Sequence, residues 1–299
     1  MAPGSPGTGR GAHWPTGASR IVGVMGDPIA HSLSPQLHNA AFDAMGVDWV
    51  SVAFPVPAGR GADALGAMRA LGIAGLSVTM PHKGDACAAV DEMSDVARRL
   101  GAVNCVTRRG EVLVGDSTDG AGLLESLRRA CGFDPGGRRC LVVGAGGAAR
   151  AVVLALADAG ASEVVVVNRT SERARQAAAL AGGVGRVGSA ADVGEAELVV
   201  QATSVGMARP GGEGGADGAG GALPVDAAGL HGGQVVVDLV YHPLRTPLLR
   251  VAAERGAQAV SGLGMLVHQA ARALEIWTGE AVPVEAMWAA AERLTAPSP

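Results

Sequence analysis

The sequence predicts an α/β protein built as two units, each a parallel sheet covered by helices. Short runs of β-formers alternate with Ala- and Leu-rich helical segments from Arg20 to Val260, which is the βαβ pattern. The chain has 299 residues, more than one core usually holds, so two domains are expected. Aromatic residues make up only 3%, so the cores must be built from Ala, Val and Leu, a composition suited to close packing of helix on sheet.

Composition narrows the function. A net charge of −4 leaves no electrostatic footprint for nucleic acid or an anionic membrane, and no apolar run is long enough to span a bilayer. Cys87, Cys105, Cys131 and Cys140 are scattered without a C-x-x-C, as expected of reduced thiols in a cytoplasmic protein. The seven histidines are dispersed as well, so no metal is assigned. Met1 to Ser19, rich in Gly, Pro, Ser and Thr around Trp14, lacks the apolar core of a signal peptide and is expected to be a disordered tail.

In chain order, Arg20 to Met25 is the first expected strand. Ser34-Pro35 then reads as an N-cap followed by proline, opening a helix to about Met45. Ser32 and Ser34 are either turn and cap residues or two hydroxyls that grip a polyol or carboxylate. Asp48 to Phe54 is a strand, Ala58 to Leu71 a helix, and Ile73 to Thr79 a strand broken by Met80-Pro81. Lys83 opens the next helix, an unfavourable place for a cation in the helix dipole. One helix with a break near Ser94 is expected over Ala86 to Leu100. A hairpin pairs Cys105 to Arg108 with Val112 to Val114, and Asp119 caps a helix over Gly122 to Ala130.

The second unit opens on Arg138 to Arg150, RRCLVVGAGGAAR. Cys140 to Val143 is a buried strand. Gly144, Gly146 and Ala149 form G-x-G-x-x-A, and Ala148 to Ala159 is a helix. Strand, glycine turn and helix in that order cradle a pyrophosphate, with helix N–H groups aimed at the anion. Glu163 to Val167 follows as the next strand. Where a site for NAD carries an acidic residue, this chain has Asn168-Arg169-Thr170, with Arg173 one turn on. Taken alone these are equally a solvated helix start. Joined to the glycine turn, two guanidiniums and a hydroxyl suit a 2′-phosphate, so NADP(H) is the expected cofactor. Further on come a helix over Glu172 to Ala181 and a strand over Glu197 to Gln201, then a Gly-rich loop at Ala208 to Gly221. Strands follow at Gln234 to Val240 and Gln258 to Val260, and helices at Thr246 to Arg255, Gly262 to Trp277 and Val284 to Leu294.

Eight short motifs, in order, resemble the shikimate dehydrogenase family over nearly the whole chain. They are SLSP, VTMPHK, AVN, STDG, GAGGAAR, NRTSER, ATSVGM and GLGMLVHQA. The resemblance implies a substrate-binding and catalytic domain over residues 20–119, completed by residues 263–299 that pack back on it. It implies a Rossmann-type NADP-binding domain over residues 120–262. The implied reaction is reversible NADPH-dependent reduction of 3-dehydroshikimate to shikimate, on the route to aromatic amino acids. By motif, Lys83 and Asp119 are the implied catalytic pair. Ser32, Ser34, Thr79, Asn104, Tyr241 and Gln269 are the implied further substrate contacts. The implied cofactor contacts are Asp95, Gly144, Ala145, Gly146, Gly147, Ala148, Asn168, Arg169, Thr170, Arg173, Leu239 and Gly262.

The implied chemistry gives Lys83 a reason for its position, since hydride arriving at a ketone leaves an alkoxide that needs a proton. Two departures from the family pattern bear on substrate breadth. Ser77 stands where many members have Asn, and Ser117 makes GDSTDG of the usual GDNTDG. A quinate- or aminoshikimate-using relative therefore stays open, though the resemblance implies that Ser34 favours shikimate. A non-catalytic NADP-binding sensor is a third reading, opposed by the retention of both Lys83 and Asp119. The expected partner is a small-molecule substrate, with a homodimer left open.

Overall fold

The computed structural model describes residues 15–207 and 223–296. The expected loop at Ala208 to Gly221, and the expected tail up to residue 14, lie outside the described residues. Residues 15–19 belong to the fold: the Thr16 and Ser19 hydroxyls both donate to Asp48, at 3.4 and 2.5 Å.

The first unit contains β1 (Arg20–Gly26), α1 (Ser34–Met45), β2 (Trp49–Pro55), α2 (Gly61–Ala70) and β3 (Gly75–Val78). It continues through α3 (Lys83–Ala89), β4 (Glu92–Met93), α4 (Asp95–Leu100), β5 (Cys105–Arg109) and β6 (Val112–Asp116). Its strand order is β2-β1-β3-β5-β6-β4. The hairpin expected from Cys105 to Arg108 and Val112 to Val114 forms as β5 and β6, so this sheet is mixed and not parallel throughout. β1 pairs parallel with β2 and β3, and β4 with β6, but β5 is antiparallel to both β3 and β6. A two-residue connection, with Gly110 at φ 63°, can only reverse the chain.

The helix expected over Ala86 to Leu100 is broken near Ser94, as expected, and the break is wide enough to make two helices with a strand between them. Val90 is extended, β4 intervenes, and Ser94 caps α4 by accepting from the Ala97 N–H at 3.2 Å. Neither Ser34 nor Asp119 is a helix cap as expected. Leu33 and Thr118 hold those positions, and both residues are the first of their helices, leaving their side chains free for other partners.

Joining the units is α5 (Asp119–Cys131). The second unit runs through β7 (Arg139–Val143), α6 (Gly147–Asp158), β8 (Glu163–Val167), α7 (Ser171–Ala178) and β9 (Gly185–Val187). It ends with β10 (Leu198–Gln201), β11 (Val235–Asp238), α8 (Pro247–Glu254) and β12 (Gln258–Ser261). All six strands are parallel, in the order β12-β11-β10-β7-β8-β9. This is the doubly wound arrangement, with the chain changing direction between β7 and β10, where such sheets open a crevice for ligands.

The last two helices, α9 (Leu263–Thr278) and α10 (Val284–Thr295), return to the first unit. There Val267, Leu274, Trp277, Met287 and Ala291 share one core with Val22, Leu37 and Phe42. The Trp277 indole N–H donates to the Val106 carbonyl at 3.1 Å, fastening α9 to β5. Against α5, α9 packs almost backbone to backbone: a Cβ on Gly122 would lie 2.7 Å from the Gln269 nitrogen. That approach brings the N-terminus of α5 beside the middle of α9, between the two sheets.

Candidate active site

The site grows from the start of α3. Lys83 is its first residue, and its amine reaches across to donate to Asp119 Oδ2 at the first residue of α5. Asn104, on the segment entering β5, donates through Nδ2 to Asp119 Oδ1 at 2.7 Å. Each carboxylate oxygen therefore has its own donor. The first turn of α5, with its unpaired N–H groups, suits a negative charge. Asn104 Oδ1 in turn accepts from the Thr118 N–H at 2.8 Å, locking the amide. The Thr118 hydroxyl stands 3.4 Å from Gln269 Oε1, extending the network onto α9. The Lys83 and Asp119 side chains are 19% and 9% exposed, so the pair is sheltered yet open to a small ligand.

Around this pair lies a cavity of about 200 Å³. Its walls include all eight expected substrate contacts: Ser32, Ser34, Thr79, Lys83, Asn104, Asp119, Tyr241 and Gln269. Of the expected cofactor contacts, Ala148, Leu239 and Gly262 also line it. Burial pushes the Tyr241 phenol above its ordinary range, consistent with a neutral ring at the wall.

Asp95 is not brought to this cavity. It sits in the first turn of α4 with its side chain 92% exposed and paired to Arg98 at 2.5 Å. Ser77, singled out for substrate breadth, lines the cavity too, and so do His31, Met265 and Leu266, which were not expected there. The signal for Ser77 is strand alternation, since Ser77 and Thr79 lie two residues apart and share a face. For Met265 and Leu266 it is helical spacing, four and three residues before Gln269. The Ser77 hydroxyl is buried and has no hydrogen-bond partner among the described residues.

The second unit offers a fit for a dinucleotide. Gly144, with φ 118°, turns the chain at the end of β7, and a Cβ there would lie 3.0 Å from the Ala202 carbonyl. Ala145 is half-buried, whereas Gly146 and Gly147 are exposed, and Gly146 opens α6 without any side-chain cap. Its first N–H groups are therefore available to a pyrophosphate. Past β8, Asn168 Nδ2 donates to the Thr170 carbonyl at 3.0 Å and closes the turn before α7. Arg169, Thr170 and Arg173 are exposed. Glu172, the nearest acid, is taken up by Arg175 at 2.7 Å, and among the described residues neither Arg169 nor Arg173 is ion-paired. The glycine turn and the lysine also meet: a Cβ on Gly147 would stand 3.2 Å from Lys83 Cδ.

A doubly wound parallel sheet whose glycine turn abuts a sheltered Lys–Asp pair defines a two-unit α/β dehydrogenase of the dinucleotide-dependent kind. Three family models match the chain in order: the shikimate dehydrogenase substrate binding domain at residues 24–106, shikimate / quinate 5-dehydrogenase at 129–206, and the shikimate 5′-dehydrogenase C-terminal domain at 262–292. Shikimate dehydrogenase (NADP(+)) of Moorella thermoacetica is 44% identical over 277 residues, spanning 89% of this chain and 90% of its own. A solved shikimate dehydrogenase in complex with NADP+ superposes with a TM-score of 0.88 at 32% identity, over 97% of this chain and 100% of that one. The enzyme from Thermus thermophilus, solved with NADP(H) and shikimate, gives a TM-score of 0.82 at 38% identity, over 92% of this chain and 99% of that one. The chain belongs to the shikimate dehydrogenase family.

No described helix is long and apolar enough to cross a membrane. Among the described residues, no group of three or more His, Cys, Asp or Glu could hold a metal ion.

Proposed function

We propose that the protein interconverts 3-dehydroshikimate and shikimate with NADP(H), using Lys83 and Asp119 as its catalytic pair. The observation that carries the reading is the meeting of Lys83 with both Asp119 and the Gly147 end of the glycine turn. Residues 20–119 with 263–299 form the substrate half in this reading, and residues 120–262 the cofactor half.

When bound, NADP(H) supplies or takes the hydride. Everything else falls to the chain. The Lys83 amine gives a proton to the carbonyl oxygen during reduction and takes it from the hydroxyl during oxidation. Asp119 keeps that amine aimed into the cavity, and Asn104 keeps Asp119 in place through Oδ1. Ser32, Ser34, Thr79 and Gln269 supply neutral hydrogen bonds to the substrate's carboxylate and hydroxyls. Such contacts reject analogues that lack those groups, because the buried partners would then be left unpaired. The turn from Gly144 to Ala148 receives the pyrophosphate, while Asn168, Arg169, Thr170 and Arg173 receive the 2′-phosphate.

A broader reading, in which quinate or aminoshikimate is also a substrate, is favoured by one observation: the unpartnered Ser77 hydroxyl at the cavity wall. Purified protein assayed with shikimate, then quinate, at matched NADP+ separates the readings. The proposed function expects turnover with shikimate and much less with quinate. Comparable rates support the broader enzyme, and NADPH binding with no turnover of either supports a sensor. Operation in the cytoplasm follows from this reading. A homodimer, also carried with it, is tested by sedimentation of the purified protein.

A further inference from the structure

Strands β10 and β11 end side by side at the carboxyl edge of the second sheet, each on a buried polar residue. Gln201 is fully buried, and its register partner Asp238 is 1% exposed. Gln201 Nε2 donates to Asp238 Oδ1 at 3.3 Å. A carboxylate at that depth is costly unless donors surround it. Asp238 has two more, the Val240 N–H at 3.0 Å and the Thr246 hydroxyl at 2.6 Å. Burial nonetheless holds its pKa above the usual carboxylate range.

Together the two side chains fasten two loops. Gln201 Oε1 accepts from the Thr203 N–H at 2.5 Å, while Nε2 donates to the Thr203 and Val205 carbonyls at 3.1 Å each. Asp238 holds the loop after β11 at both ends, through Val240 and Thr246. Thr246 also caps α8 by accepting from the Leu249 N–H at 3.3 Å. Leu239, between Asp238 and Val240, and Tyr241, just past Val240, line the cavity. Tyr241 and Leu244 pack onto the core of the first unit. On the far side the Leu239 backbone presses on Gly262, where a Cβ would lie 2.4 Å from the Leu239 carbonyl oxygen. The segment is thus tied at both ends, with its first residue pressed on Gly262 and Tyr241 and Leu244 packed on the first unit.

We propose that Asp238 is a positioning residue: with Gln201 it sets the segment from Leu239 to Leu244 so that Leu239 and Tyr241 stand at the junction of the cofactor and substrate ends of the cavity. This rests on the dehydrogenase reading of the same cavity. Asp238 touches no reacting group and acts through the residues that follow it. A tie that merely stabilised the sheet would be equivalent to others in the same strand. Gln234, just before β11 at its opposite end, is such a tie. It is 2% exposed and donates to the Val193 and Ala196 carbonyls at 2.7 and 2.9 Å, far from the carboxyl edge.

Tyr241 is the only tyrosine in the chain, so protein grown with 3-fluorotyrosine gives one ¹⁹F resonance that reports its surroundings. Asp238→Asn and Thr246→Val are expected to shift or broaden that resonance and to raise KM for shikimate about tenfold, the scale of one lost contact. Gln234→Leu is expected to lower the unfolding temperature while leaving resonance and KM in place. The double variant Asp238→Asn/Tyr241→Phe is expected to lose no more than the worse single variant, as for residues acting through one another. If Asp238→Asn is recovered only unfolded, Thr246→Val carries the same expectation. An unmoved resonance in a folded Asp238→Asn or Thr246→Val protein overturns the proposal, as does an additive double variant. So does a Gln234→Leu protein that moves resonance and KM as far. Absence of wild-type turnover counts against the activity alone, and the resonance comparison then decides the placement of the segment.

Discussion

Replacing Lys83 with methionine removes the amine and keeps most of the side chain's length. Among the described residues the amine is the only donor to Asp119 Oδ2, and the sole other basic side chain lining the cavity is His31. General acid–base catalysis contributes about 10²- to 10⁴-fold, which at about 1.36 kcal/mol per decade is roughly 3–5 kcal/mol of barrier. The fold should tolerate the change better. Breaking a fully buried ion pair costs about 3–5 kcal/mol, but this pair faces an open cavity, so about 1–2 kcal/mol is expected. The assay is shikimate-dependent NADP+ reduction followed by absorbance, with NADPH affinity measured by fluorescence on the same protein. A kcat lower by about 10²- to 10⁴-fold, with NADPH affinity changed less than about threefold, is the expected result. A Lys83→Met enzyme whose kcat stays within about tenfold of wild type would refute the assignment of proton transfer to Lys83.

Changing Arg169 and Arg173 together to alanine should raise KM for NADP+ about tenfold to a hundredfold and leave NAD+ nearly unaffected. Equal losses with both cofactors, read from steady-state kinetics, would exclude a 2′-phosphate role. Ser77→Ala removes a buried hydroxyl that has no partner among the described residues, so urea unfolding should show unchanged or slightly raised stability, by up to about 1 kcal/mol. A several-fold rise in KM for shikimate in that variant would mark the hydroxyl as a substrate contact. Gly122→Val introduces a Cβ 2.7 Å from the Gln269 backbone nitrogen, so α5 and α9 must part. About 1–3 kcal/mol of stability should be lost, together with a raised KM, because Asp119 and Gln269 ride on those helices. His38 is fully buried, edge-on to Trp277, and burial pushes its pKa down to about 3. The unfolded chain therefore binds that proton first as pH falls. This contribution is intact above about pH 6.5 and declines toward pH 3, by about 2 kcal/mol at pH 5. His38→Gln should flatten that part of the pH–stability curve, and an unchanged slope would count against a buried neutral imidazole.

The parallel half was legible because its local signals agree. Strand Glu163–Val167 falls where its run of β-formers begins and ends, and the glycine turn separates β7 from α6 within a residue of expectation. β9, three residues set among glycines, and β4, two residues long, carry no periodicity of their own and exist through pairing with β8 and β6. Ser34 and Asp119 carried genuine N-cap chemistry, and only the tertiary fold shows that their helices begin at these residues. The cavity itself was partly legible. Motif residues far apart in sequence line it together, and Ser77 was singled out beside them, whereas His31, Met265 and Leu266 join it through loop closure and helical spacing. Asp95, implied by motif position as a cofactor contact, has an exposed side chain paired to Arg98.

Crystals of the protein with shikimate and NADP+ bound would measure the central relationship directly. A shikimate hydroxyl within hydrogen-bond distance of both the Lys83 amine and the Asp119 carboxylate, with the pyrophosphate on the N-terminus of α6, is the result expected. Shikimate seated outside this cavity, or its hydroxyl turned away from Lys83, would contradict the account.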